Sequence, residues 1–187
     1  MIDVPDFRRS VLQALVQTGS DNYKENARIA GVLDDKAQRT GAIAGAFLAA
    51  GLAFIKPENF GPSSPLTQVA GLPGVVLLAS CIGLLFVSTI FSLIVMWVRP
   101  VPVPVSFSVL EEVTGDLLGL ADNDLTSERQ ENYFRDQGYI WKGTLQRQVQ
   151  VNVDKARSLR AAQISLALSI SMVALLLLFI TIKVISC

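Results

Sequence analysis

Three long stretches of this sequence carry no charged residue: 41–55, 59–98 and 161–182. A helix crossing the hydrocarbon layer of a bilayer needs about 20 apolar residues, more than a soluble core asks of one segment. The 16 basic and 16 acidic side chains lie almost wholly in 3–39 and 99–160. The pattern predicts an all-α integral membrane protein with three transmembrane helices and cytosolic amphipathic helices. Its parts are a cytosolic helical segment at 1–37, spans at 38–55, 73–98 and 161–185, an external loop at 56–72 and a cytosolic helical region at 99–160.

Local signals refine this layout. Residues 6–39 read as two helical pieces divided at Gly19-Ser20-Asp21, with Ser20 or Asp21 as N-cap of the second. That second piece lines up Tyr23, Ala27, Ala30, Leu33 and Ala37 on one face. In the first span Gly41, Gly45 and Ala49 form a small-residue face that lets another helix approach closely. Pro73 suits the first turn of the second span. Trp97 and Arg99 form an interfacial anchor at its end. Alternating prolines after Arg99 exclude helix, and 107–121 reads as an amphipathic helix with its apolar face on the bilayer or a partner helix. Ser127 and Gln130 open a last helix that leads into the third span, with a break expected near Gly138 and Gly143. Within that span Leu166, Ile170, Val173, Leu177 and Ile180 form the regular apolar face expected to pack.

Basic residues set the orientation. Arg8, Arg9, Lys24, Arg28, Lys36 and Arg39 precede the first span, and Arg99 to Arg160 lie between the second and third. Lys56 and Lys183 are the basic residues elsewhere. Cytosolic loops collect Lys and Arg, so the N-terminus and 99–160 are expected in the cytosol, with the C-terminus outside. Lys36, Arg39, Trp97, Arg99, Lys155 and Arg157 are the expected membrane-interface residues. The first 39 residues hold no short apolar run of the signal-peptide type.

Chemistry is sparse. The chain has no histidine, and its two cysteines are Cys81 and Cys187. That leaves no metal motif, no cofactor motif and no base beside a serine or cysteine nucleophile, so no enzyme is expected. Zero net charge gives no field for nucleic acid. No ionisable group lies at mid-span, which disfavours an ion-coupled carrier. Tyr133, Arg135, Tyr139, Trp141, Lys142 and Arg147 form the densest aromatic and basic group. They suit a nucleotide that stacks and pairs with cations, and equally a helix lying on headgroups.

Asp35-Lys36-Ala37 precedes the first span and Asp154-Lys155-Ala156 precedes the third. With Gly41 and Gly45 after the first and Leu159 after the second, this resembles small bacterial membrane effectors of nucleotide-triggered anti-phage defence, the Pycsar transmembrane effectors and SLATT-type proteins. The resemblance implies an oligomeric inner-membrane effector that perturbs or permeabilises the membrane on a cytosolic nucleotide signal. Its partners would be the lipid bilayer, further copies of itself and that signal. The chain departs from the pattern in having no separate nucleotide-binding domain. The alternative is a membrane-anchored scaffold or sensor subunit that recruits a soluble partner through residues 107–160.

Overall fold

The structure, a computed structural model, describes residues 4–53, 65–98 and 127–185. The described elements are three helices: α1 at Val4–Ala53, α2 at Pro65–Trp97 and α3 at Ser127–Ile185. The expected extended segment after Arg99 and the expected helix at 107–121 lie outside the described residues. The all-helical reading holds. Two helices are long and apolar enough to cross a membrane, through Gly71–Trp97 of α2 and within Glu131–Lys183 of α3. The apolar part of α1, residues 41–53, rises only about 20 Å, short of a bilayer's hydrocarbon thickness.

The helices are more continuous than local propensity predicts. α1 runs unbroken through Gly19-Ser20-Asp21, and α3 runs unbroken through Gly138 and Gly143 for 59 residues, about 90 Å. Packing explains both corrections. Each interior glycine costs about 1 kcal/mol relative to alanine, which tertiary contacts along a helix face can offset. Gly19 is needed as a notch: a Cβ there would lie 3.0 Å from the Trp141 Cβ.

A helical piece from Pro65 stands within the stretch 56–72 expected as loop, and the apolar helix that follows starts beside Pro73. A break does occur where the proline requires one. Gly71 has φ 60° and ψ −163°, a conformation open essentially to glycine alone. Pro73 cannot sit in an uninterrupted helix because its ring meets the carbonyl four residues back. The Gly71 break removes that clash, and Pro73 falls in the first turn of the piece that follows.

The chain forms two compact units: Met1–Gly31 with Arg99–Val153, and Val32–Val98 with Asp154–Cys187. In the first, α1 and α3 run parallel, with Gly19 beside Trp141 and Asn26 beside Asn152. In the second, α2 is antiparallel to both: Ala37 clusters with Val95 and Leu159, while Gly51 meets Ile82 further along.

One spacing recurs in every helix. The inward positions alternate three and four residues apart: Leu12, Val16, Gly19, Tyr23, Asn26, Ala30, Leu33, Ala37, Thr40 and Ala44 in α1. Gly74, Leu78, Cys81, Leu85, Ser88, Ser92 and Val95 do the same in α2. Phe134, Gly138, Trp141, Leu145, Gln148, Asn152, Lys155, Leu159, Ala162, Leu166 and Ser169 do so in α3. A 3.5-residue repeat keeps one seam facing its neighbours in a left-handed supercoil.

In the second unit the burial pattern is inverted relative to a water-soluble core. Ala37, Thr40, Ala44, Cys81, Ser88, Ser92, Ala162 and Ser169 are buried. Phe47, Phe86, Ile90, Leu93, Leu168, Leu175, Leu177 and Leu178 are exposed. Only 22% of the apolar window of α2 and 17% of that of α3 is buried. The core helix of a soluble protein would bury most of such a window. Beside Leu85, Val95 and Leu159, the interior uses small side chains and interhelical hydrogen bonds. Ser88 Oγ donates to the Ala162 carbonyl at 2.8 Å, and Ser169 Oγ donates to the Cys81 carbonyl at 3.2 Å. Outside the seam, Thr89, Ser171 and Thr181 bond the carbonyl four residues back in their own helix.

This inversion corrects the packing faces read from hydrophobicity. In α3, Ile170, Val173 and Leu177 point outward, and Leu166, Ser169 and Met172 point in. In α1, Gly41 is in contact, its would-be Cβ 3.0 Å from the Ser92 Cβ, but Gly45 has nothing within 4 Å and Ala49 is exposed. The small-residue face therefore follows Ala37, Gly41, Ala44 and Gly51 rather than Gly41, Gly45 and Ala49. Gly41→Leu should lower the melting temperature in detergent by several degrees through overpacking of about 1–3 kcal/mol, while Gly45→Leu changes it little. Equal losses would refute the assigned face. Gly71→Ala should cost about 1–3 kcal/mol in the same assay, as strain at a glycine-only conformation.

Candidate functional site

The first unit holds an open, mostly apolar groove of about 500 Å³ between α1 and α3. Leu12, Leu15, Thr18, Gly19 and Asn22 line it from α1. From α3 come Phe134, Arg135, Gly138, Tyr139, Trp141, Lys142, Leu145 and Gln146. The groove exists because glycine and small polar residues occupy the seam beside large aromatics. Gly19 admits the Trp141 side chain, and Tyr23 meets Trp141 edge to face with ring centroids 5.8 Å apart. Such a pair adds about 0.5–1.5 kcal/mol beyond its buried area.

Arg135, Tyr139, Trp141 and Lys142, four of the residues singled out from the sequence, converge on this groove. They do not act alike. Trp141 is half-buried and committed to α1, whereas Tyr139 is 68% exposed and free to meet a ligand. Tyr133 pairs with Phe134 at 5.7 Å and does not line the groove, nor does Arg147, which is exposed. The groove thus offers apolar walls, one exposed ring and two cations. That combination suits an anionic ligand with an apolar or aromatic body.

Polar residues below the groove fix how the helices meet. Asn152 Nδ2 donates to the Asn26 carbonyl at 2.9 Å and to Asn26 Oδ1 at 3.3 Å, and Asn26 Nδ2 donates to the Asn22 carbonyl. An amide pair in a coiled-coil seam favours one register. On the outer surface Arg28 pairs with Glu25 at 2.7 Å, holding the Glu25 carboxyl below its usual range through that hydrogen bond. Both are exposed, so the pair adds little to stability.

In the second unit Lys155 corrects an expectation. It does not reach toward headgroups: it is 1% exposed, and its Nζ donates to both Asp34 carboxylate oxygens at 2.7 and 2.8 Å. The Asp-Lys-Ala echo therefore has no structural counterpart. In α1 Ala37 is buried and Lys36 exposed, while in α3 Lys155 is buried and Ala156 exposed. Lys36, Arg39 and Arg157 are exposed, as an interfacial role requires, and Trp97 is 82% exposed. Arg99 lies outside the described residues.

Cys81 is buried with its Sγ 3.0 Å from Ser169 Oγ. Among the described residues no cluster of acids or cysteines is placed to hold a metal. No protein-family model, curated protein or solved structure matches this chain.

Sequence reading missed Asp34, Asn26 and Asn152 because each looks like an ordinary solvated residue. The signal was present: Gln148, Asn152 and Lys155 continue the three-four frame set by Leu145 and Leu159. Removing Asp34 strands a buried ammonium, a loss of about 3–5 kcal/mol in a fully buried pair. Asp34 is 40% exposed, which reduces this to about 1–3 kcal/mol. Asp34→Ala should therefore destabilise the protein in a denaturation assay, and Lys155→Met added to it should restore most of the loss. An additive double mutant would show that the two residues are not coupled.

Proposed function

We propose that the chain is a three-span, self-associating inner-membrane effector that perturbs or permeabilises the bilayer in response to a cytosolic signal. The observation that carries the membrane part is the surface of the second unit, where leucine, isoleucine and phenylalanine lie exposed along the apolar helices while alanine, serine and cysteine hold much of the seam. In water that outer surface would be an aggregation hazard; in lipid it is solvated, and small residues supply close helix contact. The third span is the apolar end of α1. It shares the unit's seam with α2 and α3, and Ile43, Phe47 and Leu52 face outward on it. Basic residues before α1's apolar end and between the other spans support a cytosolic N-terminus and a cytosolic 99–160.

The signal would meet the groove of the first unit, where Arg135, Lys142 and Tyr139 suit a nucleotide-like anion. The resemblance to nucleotide-triggered defence effectors supplies the expected outcome, damage to the inner membrane. The same groove supports the second reading, a membrane-anchored scaffold that recruits a soluble partner.

Depolarisation of bacteria on induced expression, read with a potential-sensitive dye, separates the two. The effector reading expects depolarisation by the wild type and none by Leu177→Arg. Leu177 is exposed, so arginine there costs about 2.5–3.5 kcal/mol in lipid but under about 0.5 kcal/mol on a water-facing surface. Wild-type expression in the membrane that leaves the potential intact, with the groove's ligand supplied by phage infection, would favour the scaffold. Normal insertion of Leu177→Arg would contradict the lipid-facing assignment.

A further inference from the structure

The three seams of the second unit are not built alike. α2 and α3 are joined by hydrogen bonds across the interface: Ser88 Oγ to the Ala162 carbonyl, Ser169 Oγ to the Cys81 carbonyl, and the Cys81 thiol against Ser169 Oγ at 3.0 Å. In lipid no water competes for such groups, so separating these helices leaves several polar atoms unpaired at once.

The seam between α1 and α2 is different. Gly41 lies against Ser92 and Gly51 against Ile82, contacts that are close but purely steric. Ser92 sits in the middle of it, fully buried, with its Oγ unpartnered. A hydroxyl in a membrane helix normally bonds the carbonyl four residues back, as Thr89 does one turn earlier. Ser92 thus keeps an unspent hydrogen-bonding capacity at the surface that faces α1. Any state in which α1 moves off this surface lets water, or a carbonyl, reach Ser92, so the motion gains a hydrogen bond rather than losing one.

α1 is secured at the cytosol-proximal end of the unit by the Lys155–Asp34 pair. Lys155 is fixed in the interior of α3, while Asp34 is partly open to solvent. The pair is the kind of contact a signal can reach. Its open partner can be drawn away, and the buried ammonium then loses its counter-charge.

We infer that α2 and α3 form a fixed pair and that α1 is the moving helix, latched by Lys155–Asp34 and released along the Gly41–Ser92 seam. The inference rests on the three-span reading above for the role of the motion, and adds which helix moves and what holds it. Release uncovers Thr40 on α1 and Ser92 on α2, polar side chains that a water-filled path would need, while Ser88 stays bonded to α3.

Two engineered disulfides in the full-length protein, reconstituted in lipid nanodiscs, test this. Gly41→Cys with Ser92→Cys, in a Cys81→Ala background, bridges α1 to α2, since the Cβ positions are already in contact. Ser169→Cys with the native Cys81 bridges α2 to α3. The first readout is the rate of disulfide formation under mild oxidant, with and without Asp34→Asn. Unlatching should slow the α1–α2 bridge by about fivefold or more and leave the α2–α3 bridge within about twofold. No slowing, or equal slowing of both, overturns the inference whatever the protein does to membranes. The second readout is depolarisation. The oxidised α1–α2 bridge should abolish it, with recovery in dithiothreitol, and the α2–α3 bridge should leave it unchanged. If wild type never depolarises the membrane, the effector reading fails and the crosslinking rates still decide the motion. Depolarisation that persists through a fully formed α1–α2 bridge contradicts α1 as the moving helix.

Discussion

Close approach of helices through small side chains is the constraint from which the rest of the described structure follows. Gly19 admits Trp141 in the first unit, and Gly41 and Gly51 admit Ser92 and Ile82 in the second. At these points a larger side chain would push the backbones apart and move every contact along the seam. The three-four spacing of inward positions then extends each close approach along the helix. Continuity is a consequence. α1 and α3 keep their helical course through glycines that would weaken an isolated helix, because the seam on either side holds them.

The two units use that frame for different ends. In the first, the inward positions mix aromatics with the Asn26–Asn152 pair, which favours one register and leaves a groove edged by Arg135 and Lys142. In the second, small residues share the inward positions with Leu85, Val95 and Leu159, and many large apolar side chains lie outside. Lys155 in this unit is a buried cation held by a carboxylate that solvent can reach. In the proposed reading the groove takes the signal and the ion pair opens in response.

Much of this was legible in the sequence. The all-helical class and the two apolar helices follow directly from the uncharged stretches, and the aromatic-basic group at 133–147 pointed to the groove. The errors share one physical origin. Hydrophobicity orients a helix face in water but not where both sides are apolar. Thus Ile170, Val173 and Leu177 were expected inside, and Ser169 is there instead. Likewise Lys155 was expected at the headgroups because a lone lysine near a span usually snorkels. Its position in the frame of Leu145, Gln148, Asn152 and Leu159 was the better guide. The break at Gly19 failed for a related reason: glycine serves there as a packing notch rather than a helix stop.

The central claim is that the second unit is solvated by lipid on its large apolar side chains and sealed on its small polar ones. Site-directed spin labelling in nanodiscs measures this directly, by comparing collision with oxygen, which partitions into lipid, and with a water-soluble nickel chelate. Labels at Phe47, Phe86, Ile90 and Leu177 should show high oxygen and low nickel accessibility, and labels at Ser88 and Ser169 should show little of either. High nickel accessibility at Phe47 would remove α1 from the membrane. High nickel accessibility at Ile90 and Leu177 as well would contradict the membrane bundle altogether.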